Sequence, residues 1–124
     1  MVILVVFLGG GVGSVCRYLL GGLVQSRSHG EFPIGTLVVN VLGCIAIGLL
    51  AKYFLHGQTQ LLLRTALLVG FCGGFTTFST FSFEAFGLWT GGKPAAALTY
   101  VAASFALCLF GTAAGYAFGP SLNR

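Results

Sequence analysis

The feature that most limits this chain is a series of four apolar stretches, each near the length of a bilayer span. A membrane-crossing helix needs about 20 mostly apolar residues. Stretches that qualify run from about 2 to 24, interrupted only by Arg17; from 36 to 55, with Asn40 inside and Lys52 near the end; from 61 to 89; and from 95 to 118, which carries no charge. The third is too long and too polar for one plain helix. The joins are short and rich in turn residues: QSRSHGEFP at 25–33, HGQTQ at 56–60 and TGGKP at 90–94. Such joins force successive helices antiparallel. They leave no room for an extramembrane domain, so one domain over 1–124 is expected. The first stretch lacks the positive n-region of a signal peptide and continues past Arg17, so it is read as a retained helix.

Charge supports this reading. Only 6% of the residues are charged and 56% are hydrophobic, whereas a soluble domain is roughly a quarter charged. A soluble globular enzyme is excluded, and so is disorder, because there is ample apolar surface to bury. The 20 glycines have no triplet period, which removes collagen. Several recur at four-residue spacing, as Gly9 and Gly13, Gly70 and Gly74, and Gly111, Gly115 and Gly119, a pattern that lets membrane helices approach closely. The cations Arg17, Arg27, Lys52, Arg64, Lys93 and Arg124 stand singly, so no nucleic acid partner is expected. An even number of spans puts both termini on one side. That side carries Lys52, Arg64 and Arg124, and the other carries Arg17, Arg27 and Lys93. Three against three gives the positive-inside rule nothing to act on. Either the chain simply has few charges, or it inserts both ways and pairs antiparallel. Four helices of this length enclose little lumen, so an oligomer is expected on size alone. Cys16, Cys44, Cys72 and Cys108 lie apart in apolar stretches, far from His29 and His56, and read as small packing residues rather than metal or disulfide partners.

Polar groups inside a span are costly and call for a reason. Asn40 is either interhelical glue or a donor lining an ion path. Arg17 reads as a snorkelling interfacial residue that could also place positive potential at an aqueous mouth. Glu84 is the only carboxylate in any span and lies near the end of its stretch, a poor candidate for proton coupling. Tyr100, Ser104, Cys108 and Thr112 share one helix face, as packing or as a hydroxyl track. The densest signal is GFCGGFTTFSTF at 70–81. Gly73-Gly74 invites a helix break, which frees carbonyls and amides at membrane depth; the other reading is a glycine kink filled by aromatic packing.

Three motifs give this chain a resemblance to the Fluc (CrcB-type) fluoride channels: GGGVGSVCRY at 9–18, PIGTLVVNVLG at 33–43 and GFCGGFTTFSTFSFE at 70–84. The fourth stretch matches more loosely, with Cys108 where a serine is often found. The resemblance implies an all-α membrane protein of four transmembrane helices, the third broken near its middle, forming an antiparallel dual-topology homodimer. It implies two fluoride pores, each lined by both subunits. It also implies a structural Na+ at the dimer interface, held by the main-chain carbonyls of Gly73 and Thr76. Phe78 and Phe81 would offer ring edges to fluoride and Asn40 a donor. Ser79, Thr80, Tyr100 and Ser104 would belong to a polar track, and Arg17 to a vestibule. The implied role is passive fluoride efflux across the cell inner (plasma) membrane. The competing class is a small four-helix dual-topology proton-coupled multidrug exporter, which should carry a glutamate in its first helix; this chain has none there. A non-transporting membrane assembly subunit is a third class. No HExxH, GxSxG or Walker A motif is present, so no enzyme is expected.

Overall fold

The computed structural model describes residues 1–28, 30–55 and 61–120. The expected join at 56–60, His29 and Arg124 lie outside the described residues. Helix α1 spans Val2–Ser26 and α2 spans Ile34–Leu55. The third stretch is composite. It begins helically at Leu61–Arg64, widens into π-turns over Thr65–Cys72, and closes with Gly73–Phe75; these together form α3. Thr76 and Thr77 are extended, at φ −83°, ψ 155° and φ −147°, ψ 113°. Helix α4 then runs Phe78–Thr90 and α5 runs Pro94–Phe118. The described residues form four helical spans long and apolar enough to cross a membrane, and no strand.

The helices pack in two close pairs. In the first, α1 lies parallel to α3: a Cβ on Gly13 would land on the Phe71 carbonyl and one on Gly74 on the Gly10 carbonyl. In the second, α2 lies parallel to α5. Gly111 faces the Val41 carbonyl and Ile45, and a Cβ on Gly48 would meet the Thr112 carbonyl. The repeated glycines therefore act where expected, letting backbones touch. Consecutive spans run antiparallel. A small core of Phe81, Leu88, Ala97 and Tyr100 joins α4 to α5.

The third span is broken, but not at Gly73-Gly74. Both glycines stay helical, because Gly74 is pressed against α1 and the glycine pair serves that contact. The chain turns extended at the threonines that follow. β-Branched residues favour extended backbone, and hydroxyls can cap both helix ends. The Thr76 Oγ1 and N–H both donate to the Cys72 carbonyl, at 2.9 and 3.0 Å, closing α3. Thr77 is the N-cap of α4, its Oγ1 accepting from the Thr80 N–H at 3.3 Å.

Candidate functional site

Breaking a helix inside a membrane leaves main-chain groups that must find partners. Asn40 supplies them from α2. Its Oδ1 accepts the Thr77 N–H at 2.8 Å and its Nδ2 donates to the Thr77 carbonyl at 3.1 Å. In a continuous helix the Thr77 N–H would close on the Gly73 carbonyl, so Asn40 diverts the amide that would satisfy Gly73. The Gly73 and Thr76 carbonyls are hard oxygen donors of the kind a hard cation accepts. A Cβ on Gly73 would meet nothing in the chain.

The break opens onto a groove of about 490 Å³ between α2, α3, α4 and α5. Asn40, Gly73, Thr76, Phe78, Phe81 and Ser104 all line it, and no charged residue does. The Phe78 and Phe81 rings lie 5.5 Å apart, tilted by 47°. Phe81 is buried and also meets Tyr100 at 5.2 Å and Phe105 edge-on at 6.2 Å; Phe78 is 71% exposed. The Ser104 hydroxyl is buried without a partner. Ser79 and Thr80 are within hydrogen-bonding distance of the Thr77 hydroxyl, at 3.3 and 3.0 Å, but do not line the groove. Arg17 lies on α1 outside it, with a buried Nε that has no partner.

Sequence reasoning underrated one cluster. Glu84 turns inward, and the Thr36 and Tyr100 hydroxyls both donate to its carboxylate, at 2.8 and 2.7 Å. Tyr100 is fully buried, its ring edge-on to Phe32. Glu84 and Thr36 also line a second cavity of about 530 Å³, whose lip carries Glu31 and Lys93 as an ion pair. The missed signal was spacing: Glu84 lies three residues beyond Phe81, hence on the same side of α4.

Comparison with known proteins matches residues 4–116 to the family described as CrcB-like protein, Camphor Resistance (CrcB). A protein of Geobacter sulfurreducens named fluoride-specific ion channel FluC is 50% identical over 116 residues, covering 91% of this chain and 92% of the relative. Proteins with the same name from Thermus thermophilus and Hahella chejuensis are 45% and 44% identical, covering 96% and 90% of this chain and 95% and 89% of their own lengths. With four spans and a family match across nearly its whole length, the chain is a multi-pass membrane protein belonging to the CrcB-like family.

Proposed function

We propose that this protein is a fluoride-selective channel that carries fluoride passively out of the cell; it is a transporter and not an enzyme. The observation that carries this reading is the uncharged groove, where a buried, unpartnered Ser104 hydroxyl lies with Asn40 and the paired rings of Phe78 and Phe81. Fluoride is small and strongly hydrated, so a pore must replace its water with donors that release it again. Hydroxyls, one remaining Asn40 N–H and the positive edges of aromatic rings can do this, whereas a fixed cation would hold the ion. At the second cavity Thr36 gives its hydroxyl to Glu84, and the buried Tyr100 hydroxyl donates to the same carboxylate from the core. Ser79 and Thr80 support the break through Thr77, and Arg17 contributes positive potential at a distance.

The working unit in this reading is an antiparallel dual-topology homodimer. The even split of cations and the open face at Gly73 support it. The carbonyls of Gly73 and Thr76 from both copies, four oxygens in all, would hold a structural Na+ at the two-fold axis and neutralise partial charge there. The exporter reading loses ground because α1 has no carboxylate. The test is efflux from liposomes containing only this protein. Fluoride should leave under its own gradient and chloride should not; equal fluxes, or flux requiring a proton gradient, would sink the proposal. A C-terminal reporter should appear on both sides of the membrane.

A further inference from the structure

Three of the four cysteines reach the same groove: Cys44 from α2, Cys72 from α3 and Cys108 from α5. Cys44 and Cys108 lie on adjoining turns of two packed helices. The parallel packing that seats Gly111 against Val41 and Ile45 brings the α2 turn with Cys44 onto the α5 turn with Cys108. Both thiols are free, half-buried and open to the same groove. The Ser104 hydroxyl, one turn from Cys108, lines the same groove with no partner of its own. No charged side chain borders this wall.

We propose that Cys44 and Cys108 form a two-coordinate site for a soft, thiophilic cation of the Hg2+, Cu+ or Ag+ class, and that occupation blocks the groove. Thiolate ligands select soft metals. Two sulfurs suit ions that accept linear coordination, and not Zn2+, which takes four ligands. No group of three or more metal-ligating side chains occurs among the described residues, so Cys72 does not complete a larger site. A low-dielectric wall favours a neutral complex. With Hg2+, both S–H bonds break, two S–Hg bonds form and two protons leave to water. With Cu+ or Ag+, one S–H bond breaks, one proton leaves, and the second thiol binds as a neutral donor. In neither case is anything oxidised or reduced.

The test uses the purified full chain and Hg2+ supplied as its neutral chloride, followed by a wash with a small monothiol that strips singly held metal. Intact-protein mass spectrometry should find one retained mercury per chain in the wild type, Cys16→Ser and Cys72→Ser, and none in Cys44→Ser or Cys108→Ser. In liposomes, each protein's fluoride flux is compared with its own untreated rate; flux should fall by about tenfold or more where metal is retained. Zn2+ at the same concentration should leave flux unchanged. Retention in Cys44→Ser or Cys108→Ser, loss in Cys72→Ser, an equal block by Zn2+, or retention without block would each overturn the proposal. The mass readout needs no ion flow, so it decides the site even if the fluoride reading fails.

Discussion

Two neighbouring stretches of the third span are held in opposite ways. The α1–α3 seam works by absence: Gly9, Gly13, Gly70 and Gly74 put backbone against backbone, with no room for a side chain. Two residues past Gly74, the break at Thr76 and Thr77 works by direction. Asn40 answers the Thr77 N–H and carbonyl, the Thr76 hydroxyl donates to the Cys72 carbonyl, and the Thr77 hydroxyl accepts the Thr80 N–H. The seam is therefore intolerant of volume, and the break is intolerant of losing a donor or acceptor. Paired substitutions can test that division.

The largest effect should come from adjacent glycines. Gly74→Ala drives a methyl into the Gly10 backbone, which neither helix can yield without separating. It should cost about 3 kcal/mol or more, read as loss of the monodisperse peak in size-exclusion chromatography. Gly73→Ala places its methyl in open space, so the subunit should fold normally and any loss should appear in dimerisation. Equal behaviour of the two variants would dissolve the distinction between seam and break.

Asn40 comes next. Asn40→Ala leaves the Thr77 N–H and carbonyl unpaired at membrane depth, a loss of about 2–4 kcal/mol for two orphaned main-chain groups. Asn40→Asp keeps the acceptor for the Thr77 N–H but lacks the donor to its carbonyl. Both should lower thermal stability and flux together. Were Asn40 only a pore donor, flux would fall while stability stayed at the wild-type value.

These variants also mark what the sequence made legible. The four spans follow from hydropathy, and the glycine contacts from four-residue spacing, because both are periodic along one helix. The break itself was legible from residues 70–81, yet its position was not. Glycine's low helix propensity points to Gly73-Gly74, but close packing against α1 keeps those residues helical and passes the break to the threonines. Nor could spacing reveal that Asn40 pairs with Thr77, 37 positions away, or that Thr36 and Tyr100 converge on Glu84. Such contacts arise from how the spans pack.

A smaller effect on stability, with a large one on transport, is expected at Phe78. Its ring is mostly exposed in the single chain, so Phe78→Ile should change subunit stability by less than about 1 kcal/mol while removing the ring edge that fluoride would use. Phe81→Ile should lose stability as well, since Phe81 packs on Tyr100 and Phe105. Phe83 is 77% exposed and does not line the groove, so Phe83→Ile is the control. Wild-type flux from a folded, dimeric Phe78→Ile protein would remove the rings from the pathway.

The smallest effect should be that of charge. If packing and uncharged hydrogen bonds hold both regions, acid should act on the fold only weakly through Glu31, which makes the one ion pair among the described residues, with Lys93. The hydrogen bond and charge of Lys93 hold the Glu31 carboxyl below its ordinary value, against a slight opposing effect of desolvation. A carboxyl lowered by folding stabilises the native state above its unfolded pKa, and that contribution is lost as pH falls through the folded value. The wild type should therefore melt slightly above Glu31→Gln at neutral pH, and the gap should close on the acid side of the ordinary carboxylate range. Both side chains are exposed, at 47% and 77%, so the gap should also shrink at 1 M salt, where screening acts within about 3 Å. A gap as large as that of Asn40→Ala, or one that widens in acid, would mean that this loop pair holds the helices together as strongly as the break does.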